Sequence, residues 1–102
     1  NYCLKTDCGD VELVAKVVEE NSGRVMDIFT NMPGMQLYTG NFLWEGNLGK
    51  DGMKYHTGDG VAFETQFYPD AINHPQFPSP VVKAHEQFCY NTIYHFTLID
   101  EE

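Results

Sequence analysis

The feature that most constrains the fold is a strict alternation of side chains over residues 88–99. A period of two residues is that of a β-strand, in which successive side chains point to opposite faces of a sheet. The alternation therefore predicts a twelve-residue strand and excludes a helix in this segment. The residues expected to share one face are Phe88, Tyr90, Thr92, Tyr94, Phe96 and Leu98.

In the valine-rich segment at residues 10–20, the spacing of the apolar residues fits both the period of a strand and that of a helix. Its four valines favour a strand, because β-branched side chains suit a pleated sheet. The turn sequence Asn21-Ser22-Gly23 follows it and leads into residues 24–30, which are also rich in strand formers. The two segments are therefore interpreted as a β-hairpin.

Two more strands are expected, at residues 35–39 and 61–68, the first of them after the turn dipeptide Pro33-Gly34. Residues 45–60 contain five glycines and mixed charges, which predicts a long surface loop. The segment from Pro69 to Pro80 holds four prolines, and we expect an ordered extended loop without helix or ladder. Five or six strands and no convincing helix predict an all-β fold.

Composition limits the possible partners. The 102 residues correspond to one small domain, and the net charge of −9 argues against nucleic acid or an anionic membrane as a partner. A neutral or cationic ligand fits better. The three cysteines, Cys3, Cys8 and Cys89, suggest reduced thiols, which weakly favours the cytoplasm.

Glu64 is the most unusual residue of its neighbourhood, because it stands in a strand among Phe63, Phe67 and Tyr68. It lies either on the solvent face, which periodicity alone favours, or in an apolar pocket. In a pocket, desolvation would raise its pKa and make it a usable general base. Gln36 stands in a strand in the same manner, where its amide either binds a sugar hydroxyl or points to solvent.

Other residues give weaker signals. The four histidines, His56, His74, His85 and His95, are scattered without partners at ligand spacing, so no metal site is expected. His74, beside Pro75 on the proline-rich loop, is the one histidine that merits attention. The aromatic residues Tyr38, Phe42 and Trp44 either form a stacking platform for a sugar ring or belong to the core.

Two long motifs, in the same order, resemble the aldose 1-epimerase (galactose mutarotase) family. They run over residues 33–43, PGMQLYTGNFL, and residues 60–75, GVAFETQFYPDAINHP. The similarity continues through SGRV at residues 22–25, FPS at residues 77–79 and the last strand, so it covers nearly the whole chain. Because members of this family are much longer, residues 1–102 are expected to be a C-terminal fragment, about a third, of a β-supersandwich.

The resemblance implies an isomerase that interconverts the α and β anomers of aldoses such as galactose and glucose by ring opening, without metal or cofactor. Glu64 matches the family's catalytic base and Gln36 its substrate-binding glutamine. The resemblance also implies that both side chains face one concave, partly desolvated site.

The chain departs from the family pattern because the acid histidines and a sugar-binding arginine of the family lie upstream of it. We therefore expect the fragment alone to be inactive and its partner to be the missing N-terminal part of the same protein. The alternative is a non-catalytic sugar-binding β-sandwich module that uses Gln36, Tyr38 and Trp44.

Overall fold

The computed structural model describes residues 1–99, which form two three-stranded antiparallel sheets. Sheet I has the strand order β1-β4-β5 and sheet II has the order β2-β3-β6. Two one-turn 3-10 helices, Lys50–Gly52 and Ala71–Asn73, complete the described elements. The prediction of an all-β fold is confirmed. The strands are β1 (Tyr2–Cys3), β2 (Glu12–Glu19), β3 (Arg24–Thr30), β4 (Gly34–Tyr38), β5 (Ala62–Gln66) and β6 (Thr92–Leu98).

The predicted hairpin at residues 10–30 is present as β2 and β3. Its turn is closed by the Glu19 carboxylate, which accepts the backbone N–H groups of Asn21 (3.0 Å) and Ser22 (2.8 Å). Gly23 then takes a positive φ of 73° and donates its N–H to the Glu19 carbonyl. Hydrogen bonds from Ser22 and then Asn21 lower the pKa of Glu19 to about 2, because they favour the charged carboxylate.

The buried core lies at the corner where the chain passes from β3 of sheet II to β4 of sheet I. Ile28 and Thr30 are fully buried at the end of β3, and Met35 is buried at the start of β4. Between them, the buried Asn31 accepts the N–H of Asn91 at 2.9 Å and donates to the carbonyl of Gly9 at 3.0 Å. These two bonds satisfy a polar side chain in the core, where unpaired groups are costly.

The last strand is shorter than expected. The alternating segment 88–99 was predicted to be one strand, but the ladder covers only Thr92–Leu98. The reason is that its partner β3 ends at Thr30, which pairs with Thr92, so the preceding residues have no strand to pair with. Phe88 and Tyr90 instead form a ring cluster with Phe67.

The proline-rich loop also differs from the prediction, because Ala71–Asn73 forms one turn of 3-10 helix. The four prolines all lie outside this turn, and Asp70 enters it with a left-handed φ of 58°. The Asn73 side chain donates a hydrogen bond back to the Asp70 carboxylate, which stabilises the turn.

Several large apolar side chains of β6 are exposed, including Ile93, Phe96 and Leu98. The exposed ring of Phe96 lies beside an open groove with Met26 of β3 and Val61 next to β5. Within residues 1–99 the apolar side chains of β6 are therefore partly open to solvent. The same residues include no helix long and apolar enough to cross a membrane.

Candidate functional site

Gln36 and Glu64 stand directly opposite each other on neighbouring strands. β4 pairs with β5 in an antiparallel register that joins Gln36 to Glu64, Leu37 to Phe63 and Met35 to Thr65. Directly opposite residues point to the same face of a sheet, with their Cβ atoms about 5 Å apart. The structure therefore brings together the two residues that the resemblance selected.

The same face also carries two hydrogen-bonded amides, Gln66 and Asn1. Gln66 lies two residues beyond Glu64 on β5, so its side chain points to the same side. Its Nε2 donates a hydrogen bond to Oδ1 of Asn1 at 2.9 Å. We call Gln36, Glu64, Gln66 and Asn1 the polar row. Sequence reasoning missed Gln66, although its spacing of two residues from Glu64 was a usable signal.

The small size of Gly34 leaves space for the Asn1 side chain of the polar row and for the Tyr68 ring. Gly34 is the cross-strand partner of Gln66 and is buried. A Cβ atom at this position would lie 2.8 Å from Oδ1 of Asn1 and 2.9 Å from Cδ1 of Tyr68. Any larger residue would therefore displace the Asn1 amide or the Tyr68 ring. Burial raises the pKa of Tyr68, with a further contribution from a hydrogen bond with Cys3.

The opposite face of β5 is anchored to sheet II by hydroxyl groups. The Thr65 and Thr92 hydroxyls are 2.6 Å apart, and Thr92 is 3.0 Å from the fully buried hydroxyl of Thr30. The Tyr94 hydroxyl donates to the carbonyl of Phe63 at 2.7 Å. Because Phe63 and Thr65 flank Glu64, these bonds hold the backbone on both sides of the carboxylate.

The expectation of a desolvated site is wrong for the described residues, because Glu64 is exposed. The carboxylate points away from sheet II, because its strand neighbour Thr65 bonds Thr92 from the opposite face of β5. A cavity of about 410 Å³ lies on the other side of the sheet, where it is lined by Leu4, Leu13 and Met35. This cavity does not include the polar row.

Two of the histidines, His74 and His56, have aromatic or carboxylate partners outside the polar row. His74 stacks on Phe77 with ring centroids 4.9 Å apart, and its Nε2 lies 3.2 Å from the Asp70 carboxylate. His56 lies in the long connection between β4 and β5, between the carboxylates of Glu45 (3.3 Å) and Asp59 (3.4 Å). Within residues 1–99, no group of three His, Cys, Asp or Glu side chains has the arrangement of a metal site.

The three aromatic residues of the possible stacking platform are not buried together. Tyr38 accepts the N–H of Phe42 at 3.0 Å, and Phe42 is almost fully exposed. The indole of Trp44 packs against Gly46, where a Cβ atom would lie 2.2 Å from the ring, and Trp44 is 65% exposed. The prediction that Phe42 and Trp44 belong to the core is therefore wrong. Their binding of a sugar ring stays a prediction.

Comparison with known proteins gives matches along nearly the whole chain. A family model described as aldose 1-epimerase matches residues 1–95. Galactose mutarotase of Bos taurus is 41% identical over 99 residues, and that of Mus musculus is 39% identical over 99 residues; both alignments cover 96% of this chain. Aldose 1-epimerase of Escherichia coli (strain K12) is 34% identical over 97 residues, or 93% of this chain. The chain spans 28% of the length of each of these relatives.

Proposed function

Because this chain belongs to the aldose 1-epimerase family, we propose that it supplies the base-bearing part of a site that interconverts the α and β anomers of hexoses such as galactose and glucose. The observation that carries this proposal is the direct pairing of Gln36 with Glu64 across β4 and β5. A carboxylate and an amide at this spacing can contact neighbouring hydroxyls of one sugar ring.

In the proposed reaction, Glu64 accepts the proton of the anomeric hydroxyl, and the bond between C1 and the ring oxygen breaks. A general acid protonates the ring oxygen, the open aldehyde rotates about its C1–C2 bond, and closure gives the other anomer. Gln36 holds the sugar through a hydrogen bond. The chain spans 28% of its relatives, and we propose that the acid comes from the remainder of the full-length protein.

The exposure of Glu64 is consistent with this division of the site. A general base is most effective when its pKa is tuned towards the working pH, and partial desolvation is one way to achieve that. In the proposal, the remainder of the protein covers this face of sheet I. The polar row then becomes one wall of a closed site.

One observation favours the alternative of a non-catalytic sugar-binding module. Trp44 presents an exposed ring whose position is supported by Gly46, as a stacking surface requires. In this alternative, Gln36 and Trp44 bind sugar and Glu64 has no catalytic role. The free cysteines Cys3, Cys8 and Cys89 support a reducing, cytoplasmic location for either function.

The test is mutarotation of freshly dissolved α-galactose, followed by polarimetry with the full-length protein that carries these residues. We expect Glu64→Gln to lower kcat by roughly 10²–10⁴-fold and to leave sugar binding nearly intact, because an amide cannot accept the proton. Glu20→Gln, an exposed carboxylate in the β2–β3 turn, is the matched control and should retain full activity. Full activity of Glu64→Gln would refute its role as base.

The isolated chain provides the second half of this test. With the base but without the acid, it should show mutarotation no faster than the spontaneous rate. Activity of the isolated chain would mean that an acid lies within it. His74 would then be the first residue to replace.

A further inference from the structure

The polar row contains a residue that the family resemblance does not assign. Glu64 and Gln66 are separated by one two-residue repeat of β5, which is about 6.6 Å along the strand. Gln36 lies beside Glu64 in the perpendicular direction, across the ladder. Two amides therefore flank the carboxylate, one across the sheet and one along it.

The Gln66 amide is held in a defined orientation. Its Nε2 donates to Oδ1 of Asn1 at 2.9 Å, which uses one of its two N–H donors. The remaining N–H and the Oε1 acceptor match the donor and acceptor character of a hydroxyl group. Gln66 is half-buried, and its cross-strand partner Gly34 leaves space that the Tyr68 ring and the Asn1 side chain occupy.

We propose that Gln66, oriented by Asn1, binds a second hydroxyl of the sugar and so contributes to the choice between aldoses; this inference rests on the proposed function. One hydrogen bond to Gln36 leaves a ring free to pivot about that contact. A second one along β5 fixes how the ring lies over Glu64 and which hydroxyl meets Gln66. A sugar without that hydroxyl, or with the opposite configuration there, would leave the Gln66 amide unpaired.

The experiment combines one variant with a series of sugars. Mutarotation by full-length wild type and Gln66→Leu is measured with galactose and with galactoses that each lack one hydroxyl other than the anomeric one. For galactose, we expect KM to rise about tenfold with kcat nearly unchanged, because the bond contributes equally to substrate and transition state. For the one deoxy sugar that lacks the bound hydroxyl, Gln66→Leu should not raise KM above the wild-type value.

This design separates a binding role from a structural one. General damage to the fold would change KM or kcat equally for every sugar, and that outcome would overturn the proposal. Gln76→Leu is the matched control, because Gln76 is an exposed amide in the proline-rich loop, and its KM values should equal those of wild type.

The experiment also distinguishes failure of the Gln66 proposal from failure of the proposed mutarotase function. If the wild type binds these sugars without mutarotation, the same series is measured as Kd instead of KM. A sugar-dependent loss in Gln66→Leu then supports the hydroxyl contact although the enzymatic proposal has failed. Absence of sugar binding by the wild type would overturn both.

Discussion

The two hairpins of this protein differ in the length of the segment that joins their strands. β2 and β3 are joined by a short turn that the Glu19 carboxylate and Gly23 close locally. β4 and β5 pair without a register shift, but residues 39–61 separate them. The turn closes the short hairpin locally, whereas the long one is held by contacts within its connection and by the hydroxyl bonds of β5 to sheet II.

Backbone contacts near the base of the long connection hold its two ends together. Gly40 has a positive φ of 74° and accepts the N–H of Gly58 at 3.1 Å. A Cβ atom at Gly40 would lie 3.0 Å from the carbonyl oxygen of Gly60. The two arms of the connection thus meet just beyond the last ladder pair, Tyr38 with Ala62. Because Gln36 faces Glu64 only in this register, we expect the candidate site to depend on the contacts within the connection.

Matched glycine replacements test this comparison most strongly. Gly23→Ala should cost about 1–2 kcal/mol of unfolding free energy, because Gly23 has a positive φ but nothing lies within 4 Å of the added Cβ. Gly40→Ala adds collisions with Gly60 and Leu43, so we expect about 2–4 kcal/mol. Urea unfolding measures both losses, and hydrogen exchange at residues 62–66 should increase more for Gly40→Ala than for Gly23→Ala. Equal losses would contradict the distinction between the hairpins.

The attachment of the long hairpin to sheet II gives a smaller effect. Thr65→Val removes the hydroxyl that bonds Thr92 while keeping a similar shape, and about 1 kcal/mol of unfolding free energy should be lost. Thr65→Ser restores the hydroxyl and should recover most of it. Thr39→Val is the control, because Thr39 is exposed and its hydroxyl donates to the exposed Asn41 side chain. A loss as large in Thr39→Val as in Thr65→Val would show that the buried hydroxyls do not anchor β5.

The smallest effect is expected at the short turn in acid. The pKa of Glu19 falls from 4.5 to about 2 on folding. The stabilisation that its carboxylate adds to the folded state is therefore complete above pH 4.5 and is lost as the pH falls towards 2. The group is exposed, so high salt should weaken the effect. NMR titration of the Glu19 carboxylate measures the pKa directly. Glu19→Gln should flatten the acid dependence of the unfolding midpoint, whereas the neighbouring Glu20→Gln should leave it unchanged.

Local sequence patterns predicted most of the fold but not its non-local details. The valines before Asn21-Ser22-Gly23 indicated the first hairpin, because both the strand propensity and the turn are local signals. β1 was missed because two residues, Tyr2 and Cys3, carry no measurable period. The strand predicted at residues 88–99 was too long because its pairing depends on where β3 ends, which the segment itself does not encode.

The site was predictable only in part, and for a related reason. Periodicity alone favoured a solvent-facing Glu64, and it was the family resemblance that selected Glu64 and Gln36 as a pair. Gln36 faces Glu64 because of the register between β4 and β5. Residues 39–61 separate these strands, and no local sequence pattern specifies which of their residues pair. The burial expected for Glu64 is absent, because Glu64 stands on the face of β5 that points away from sheet II.

The position of β3 in sheet II has a consequence for the order in which the polypeptide is synthesised. β3 lies in the middle of its sheet, with β2 before it in the chain and β6 far behind it. On the ribosome, one edge of β3 therefore stays open until residues 92–98 have emerged from the exit tunnel. During that interval an exposed strand edge is available to any other nascent chain, and a chaperone that covers it would protect the protein until β6 arrives.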